Sequence, residues 1–540
     1  MSIQGMRTKM SRYLKWLVLI IAATFAIGFV GMTLGGGGMG GRGANKQVGV
    51  LAKVNGQKIK WDYYLEILRR QMEQYERQNI PVTTEMEIQM RGSLFEQLVD
   101  QEMKLQAAKK ERVRVSRGEL NKKIDEYTDM QMKSLREAAL RGKKVKDDKV
   151  FAAELAKAEP GMTIQKKRKE IRKQFEAVAE EIRKSLILEK LDKKIAEMAK
   201  TDDKAFEASF DQVNLSQITV ASVGKRSDEQ AKKRADDVAA KIRKGEDFAK
   251  VAGEFSDDMY KGFGGNRGPV VRIQLEEELR DPAFALKAGQ VSDPIKTAGG
   301  YVILKSAGVS RNVPTELSDP AKKKQYREQF VQQEQERAKA EYYGKLKKAM
   351  ALEIMDPEMK AYMAMRDSYA GMMTASEPER KALIEKVAKL YQAAVDGAGE
   401  DTGMRARCSI QLWNLYNILS SSPMFGATDA EKKNYAKLGR TALEEALNST
   451  EDVDLRLAHA KMALEAGDKA AALESLDIAS DNAYDNVQAM EQIRDMYKQM
   501  NRNDLAAAQQ AEIEDFKRNN PEGDSSTATT EPIRIPAGGE

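Results

Sequence analysis

One cysteine among 540 residues, Cys408, cannot make an internal disulfide, so packing alone has to hold this chain together. Histidine is equally scarce: His459 is the sole example. With one of each, the chain has no metal-ligand cluster and no nucleophile beside a base, which sets aside hydrolase and oxidoreductase chemistry and implies neither a metal nor a cofactor. Aromatic residues make up only 6% while charged residues reach 32%, a balance that suits long solvated helices better than a large sheet. The formal charge of +6 does not argue for nucleic acid. Basic residues alternate with acidic ones, as in KKRKEIRKQFEAVAEEIRKS, and lack aromatic platforms for stacking bases.

Acidic residues are missing altogether before Asp62, whereas Arg7, Lys9, Arg12 and Lys15 precede an uncharged run from Trp16 to Leu34. Those 19 residues span roughly 28 Å as a helix, close to the thickness of a bilayer's hydrocarbon layer. The charge bias makes residues 1–15 a cytoplasmic N-terminus, 16–34 a single transmembrane helix and everything beyond Gly35 extracytoplasmic, the arrangement of an inner-membrane protein. A cleaved secretory signal is the rival reading, although the apolar core is longer than the usual ~7 to 15 residues and ends in glycines. Both readings export the bulk of the chain. No cysteine lies near the span to take a lipid.

The glycines of residues 35–46 form a flexible tether, since glycine loses the most backbone entropy on ordering. In VGVLAKVNGQKIKWDYY, Val50, Ala52 and Val54 alternate and Asn55-Gly56 supplies a tight hairpin turn. Residues 65–200 then turn helical, with Leu94, Phe95, Leu98, Val99, Met103 and Leu105 on one stripe. The spacings Thr84 to Glu87 and Ser116 to Glu119 predict two capping boxes. Residues 210–310 carry mixed signals: a strand around VNLSQITVAS, a helix from Ser227 to Lys244 closed by Gly245, and short glycine- and proline-punctuated strands. A charged helix covers Asp319 to Leu352, with Tyr342, Tyr343, Leu346 and Met350 spaced for burial.

From about Asp356 to Asn520 the pattern is a series of helix pairs. The segment LRLAHAKMALEAGDKAAALESLDIAS resembles a tetratricopeptide repeat, with Ala460, Ala472 and Ala479 at small-residue positions and Gly467-Asp468 in the turn. A weaker unit follows at Asn503-Asp504, and an unrelated helical bundle stays open as the alternative. His459 falls in this region, where a structural role is favoured. Residues 521–540 are rich in Ser, Thr, Gly and Pro and read as a disordered tail.

Between Lys244 and Leu304 the phrases KGEDFAKVAGEFSDD, GFGGNRG and FALKAGQVSDPIKTAGGYVIL resemble the parvulin family of peptidyl-prolyl cis-trans isomerases. Upstream, AKVNGQKI, a helix and LFEQLVDQEMKLQAAKKERVRVS resemble the N-terminal chaperone module of the SurA and PpiD group of periplasmic foldases. The resemblances imply a multidomain, mostly α protein: a SurA-like helical domain over residues 47–204, an inserted α+β parvulin-like domain over 205–312, a helix returning to the first domain over 313–355, and a tetratricopeptide-like region over 356–520.

The parvulin resemblance assigns roles residue by residue. The acidic position of the site falls on Asp258, which reads equally as a loop carboxylate capping backbone N–H groups. Apolar pocket positions fall on Leu275, Leu279 and Phe284, with leucine at Leu279 where an aromatic is usual. The family's two histidines are absent: LSQIT places Gln217 at one and GYVI places Val302 at the other. The hydroxyl position aligns with Thr297 or with Gly299. Gly264, Gly265 and Gly268 belong to a tight turn, since no helix follows at nucleotide-loop spacing. Rotation about a proline bond has a barrier of ~18 to 20 kcal/mol and needs a dry grip on proline, not a covalent step, so the resemblance implies weak or lost activity.

Two functions compete. One is an anchored chaperone for newly exported, unfolded polypeptides, which the 27 methionines would suit as adaptable contact surface, although methionine is also ordinary core filler. The other is a non-catalytic scaffold whose repeat region recruits a translocation or outer-membrane assembly partner, the isomerase-like domain serving as a peptide clamp.

Overall fold

In the computed structural model of the chain, Asn55 and Gly56 have φ of 49° and 85°. They close the turn between β1 (Val50–Val54) and β2 (Gln57–Lys60). The structure describes residues 49–77, 82–141, 147–222, 226–372, 375–450, 452–484 and 486–519. The expected cytoplasmic N-terminus, membrane span, tether and C-terminal tail lie outside the described residues. Among the described residues no helix is long and apolar enough to cross a membrane.

The chain divides into two units, one of residues up to Val82 with Ser93–Met355, the other of Thr83–Gly92 with Asp356 onward. After the hairpin come α1 (Trp61–Arg77), α2 (Thr84–Lys110), α3 (Arg117–Ala139), α4 (Asp148–Ala158), α5 (Ile164–Ala177), α6 (Ala179–Ala196) and the short α7 (Asp203–Ala208). The capping box at Ser116 is present: its Oγ accepts from Glu119 N at 3.2 Å, and Glu119 Oε2 accepts from Ser116 N at 2.8 Å. The box expected at Thr84 is not. Thr83 caps α2 instead, accepting from Met86 N at 3.2 Å, because the Glu87 carboxylate is drawn into ion pairs with Arg91 and Arg407. Facing stripes of α3, α5 and α6 bury Leu120, Ile124, Ile171, Phe175 and Ile182 in one core.

An α+β domain follows: β3 (Asp211–Ala221), α8 (Asp228–Arg243), α9 (Phe248–Phe255), β4 (Asn266–Val271), α10 (Glu277–Ala285), β5 (Ile295–Thr297) and β6 (Gly300–Arg311). Then α11 (Pro320–Ala349) sets Tyr342, Tyr343 and Leu346 against Ala107, Ala108, Leu191 and Ile195 of α2 and α6. Tyr342 donates to Glu111 at 3.2 Å, and Tyr343 donates to Asp192. Leu352, which the sequence reading left at the end of this helix, belongs to β7 (Leu352–Ile354). The edge of β1 away from β2 has unpaired backbone groups, and β7 fills it antiparallel, with Val54 opposite Leu352 and Ala52 opposite Ile354.

The second unit contains α12 (Pro357–Met372), α13 (Glu377–Asp396), α14 (Thr402–Ser421), α15 (Asp429–Leu447), α16 (Val453–Glu465), α17 (Lys469–Asn482), α18 (Val487–Gln499) and α19 (Asn503–Asn519). Between α16 and α17 the chain turns at Gly467, φ 81°, and Asp468 caps α17 through Ala471 N. Ala460, Ala472 and Ala479 are fully buried, which lets these helices pack closely. His459 is buried, its Nδ1 at 2.7 Å from Ser475 Oγ. Cys408 is buried and burial pushes its thiol up.

An ionic cluster lies inside this unit. Arg407 holds Glu358 with two hydrogen bonds, 2.7 Å from Nε and 2.8 Å from Nη2, and Arg91 approaches the same carboxylate at 3.4 Å. Burial pushes the Glu358 carboxyl up, but the two guanidinium charges and the Arg407 hydrogen bonds outweigh it and hold the group below the usual carboxylate range. Nearby Asp356 is pushed up to about 6, chiefly by burial.

Candidate functional site

Strand β3 is the spine of the α+β domain, lying between β4 and β6 in a four-stranded antiparallel sheet ordered β4-β3-β6-β5. Its side chains alternate between two faces. Ile218 packs with Val238, Phe248 and Val251 of α8 and α9, and Val220 with Ala231 and Ala235 of α8. Val213 and Leu215 point the other way, into a core with Leu275, Leu279, Ala283 and Leu304. The same alternation puts Gln217 and Thr219 on this second face, beyond the apolar core.

The segment after α9 is laced to β3. Thr219 N donates to Ser256 Oγ at 3.0 Å, Asp257 N to Thr219 O at 2.8 Å, and Ala221 N to Asp257 Oδ2 at 3.0 Å. Arg226 forms an ion pair with Asp257. This docking delivers Asp258 to the sheet face. One oxygen of Asp258 accepts from Ser256 Oγ and Tyr260 N, both at 3.0 Å. The other accepts from Gln217 Nε2 at 2.8 Å and Thr219 Oγ1 at 2.6 Å. The carboxylate is therefore tied by four donors, and through Tyr260 N it also caps the 3-10 turn Met259–Phe263.

That turn ends in glycines the geometry requires. Gly264 and Gly265 have φ of 62° and 80°, and a Cβ on Gly265 would lie 2.6 Å from Gln217 O. The close approach lets Gln217 N donate to Gly265 O at 2.8 Å. Strand β4 then places Arg267 beside Gln217, its Nη1 donating to Gln217 Oε1 at 2.9 Å and its Nη2 to Gln274 O at 2.8 Å. Met259 and Phe263, on the turn between Asp258 and Arg267, are 78% and 73% exposed, so neither serves the core.

The residues singled out from sequence are distributed as follows. Gln217 and Asp258 meet directly. Val302 is opposite Thr219 on β6, and Thr297 lies on β5, two strands from β3 and buried. Val302 pairs with Ile295, so the two-residue period puts Thr297 on the same face as Val302. Leu275, Leu279 and Val302 are buried in the core beneath, and Phe284 is half-buried at its edge with Arg272 over its ring at 4.8 Å. Sequence reasoning did not single out Thr219, Ser256 or Arg267. The first was accessible from strand alternation, two residues on from Gln217. Ser256 lies in the same phrase that places Asp258, two residues before it, and Arg267 lies in a glycine-broken stretch with no periodicity to follow.

Chemically, this site is a hydrogen-bonded floor of one carboxylate, one amide and two hydroxyls, with a guanidinium on its rim and two exposed apolar side chains beside it. None of these groups is an imidazole able to exchange a proton near neutral pH. Among the described residues no cluster of His, Cys, Asp and Glu could hold a metal ion.

Residues 3–139 match the family of the SurA-like N-terminal domain, and residues 215–308 match the PPIC-type PPIase domain. The foldase protein PrsA of Caldanaerobacter subterraneus subsp. tengcongensis is 34% identical over 142 residues, which cover 26% of this chain and 45% of that protein. The chain thus spans about half the length of that relative. The foldase protein PrsA of Clostridium botulinum is 27% identical over 334 residues, covering 58% of this chain and 90% of the relative. Among solved structures, the peptidylprolyl isomerase PrsA of Bacillus anthracis is 18% identical, with a TM-score of 0.21, and its match covers 45% of this chain and 95% of its own.

Proposed function

We propose that this chain, which joins a SurA-like N-terminal domain to a PPIC-type isomerase domain, is a membrane-anchored extracytoplasmic foldase that grips unfolded polypeptides and isomerises their prolines weakly or not at all. The observation that carries this reading is the state of the isomerase-type site. Gln217 stands where parvulins carry a histidine, and its amide is occupied by Asp258 and Arg267. The exposed Met259 and Phe263 beside it offer an apolar hold for a client segment. A fully hydrogen-bonded floor with an apolar rim supports binding more than it supports proton movement.

Two assays separate the components. The full chain at a stoichiometric ratio should suppress light scattering by an unrelated unfolded protein; undiminished scattering would defeat the chaperone reading. In a proline-peptide isomerisation assay the chain should give little rate gain, and Gln217→His combined with Val302→His should raise it. A folded double variant with no gain would mean that these positions do not form the reactive site.

The location is part of the proposal. Residues 16–34 serve as a single inner-membrane span with the bulk of the chain outside the cytosol, supported by the charge bias of Arg7, Lys9, Arg12 and Lys15. Protease added to intact spheroplasts should then digest the large C-terminal portion. Digestion only after lysis would place it in the cytosol instead. The tetratricopeptide-like pairing in α16 and α17, with fully buried Ala460, Ala472 and Ala479, supports a role for that region in recruiting a protein partner.

A further inference from the structure

The guanidinium of Arg267 is held at the site by neutral acceptors alone. Asp258, the carboxylate on the same floor, is saturated by Ser256, Tyr260, Gln217 and Thr219, and Asp257 is paired with Arg226. Arg267 has no carboxylate within ion-pair distance among the described residues. Two of its five N–H groups are used, one on Gln217 Oε1 and one on Gln274 O, both neutral acceptors. Those two bonds fix the plane of the group, and its stem is half-buried with the guanidinium 5.8 Å from the centre of the Tyr260 ring. The remaining three N–H groups of this pre-oriented cation have no hydrogen-bond acceptor among the described residues, and the exposed Met259 and Phe263 lie on the turn that leads from Asp258 to its strand. A guanidinium held in this way is suited to a planar, bidentate carboxylate partner.

We propose that Arg267 makes this site selective for peptide segments that carry a carboxylate side chain beside the proline. The proposal rests on the reading of the α+β domain as a proline-peptide clamp, and it adds the class of segment the clamp prefers. Apolar residues of the segment lie against Met259 and Phe263 while its carboxylate meets the free edge of Arg267. A charge-assisted bond in a half-buried setting corresponds to roughly tenfold in affinity.

The test uses the full chain and three fluorescein-labelled hexapeptides that differ only in the residue before a central proline: Glu, Gln or Lys. Affinities are read by fluorescence anisotropy for the unaltered chain, Arg267→Gln and Arg267→Lys. The unaltered chain should bind the Glu peptide about tenfold more tightly than the Gln peptide, with the Lys peptide weakest. Arg267→Gln should bring the Glu-to-Gln ratio close to one, and Arg267→Lys should keep part of the preference. Equal binding of all three peptides by the unaltered chain, or a ratio unchanged in Arg267→Gln, would overturn the assignment and leave the clamp reading standing. Failure of every peptide to bind the unaltered chain would overturn both.

Discussion

Replacing Glu358 with alanine is expected to destabilise the C-terminal helical unit by about 3–5 kcal/mol, the usual cost of removing one partner from a buried ion pair. Two arginines converge on this one carboxylate, Arg407 at 2.7 and 2.8 Å and Arg91 at 3.4 Å. Without it they lose the carboxylate they share most closely and would lean on Glu87, at 3.3 Å from each, so the positive charge of the buried site would be less well compensated. Hydrogen exchange of the α14 amides around Arg407 and Cys408 would report the loss locally, without assuming that the whole chain unfolds in one step. Protection factors unchanged from those of the parent would show that the cluster is not worth what its burial implies. Glu358→Leu together with Arg91→Met, Arg407→Met and Glu87→Gln should recover much of the loss, since replacing a whole buried ionic cluster by uncharged groups removes the desolvation penalty along with the attraction.

The second large effect belongs to Gly300→Ala, which should cost the isomerase-type domain about 3 kcal/mol or more. Gly300 has φ of +144°, and a Cβ there would lie 2.2 Å from Val220 O and 2.7 Å from Ser222 N, both backbone atoms of the neighbouring strand end. Relief would require β6 to move away from β3, the strand that carries Gln217 and Thr219. Gly299→Ala is the matched control, because an added Cβ there meets nothing within 4 Å. Thermal melts of the two variants should therefore separate clearly, with Gly299→Ala close to the parent. Equal melting would mean that β3 and β6 are less tightly held at this end than their register implies.

How much of this was legible in the chain depends on whether the cause was local. The hairpin at Asn55-Gly56 and the helix start at Ser227 rest on backbone preferences of a few residues, and the sequence carries both. The capping assignment at Thr84 failed because Glu87 answers to Arg407, a residue 320 positions away whose charge outbids the local backbone. Strand β7 was missed for the same reason: Leu352 is extended because β1 has an open edge, not because its neighbours favour a strand. At the site, Gln217 and Asp258 were found through a family resemblance and not through any pattern of their own. Arg267 was not found, since nothing around it in sequence indicates that its carboxylate neighbours are already engaged.

The β1–β7 pairing has a consequence for the order in which the chain can be finished. Lys53 and Glu353 face each other across 300 residues, and the ionic cluster of the second unit joins Glu87 to Arg407 across 320. The sheet domain between Asp211 and Arg311 is contiguous and has all its strands as soon as it has been made. Its flanking modules do not: each begins near the amino end and is closed only by chain delivered after residue 350. During synthesis the α3–α6 core and then the sheet domain can close as they are made, while the β1–β2 hairpin and the start of α2 wait for segments made after residue 350.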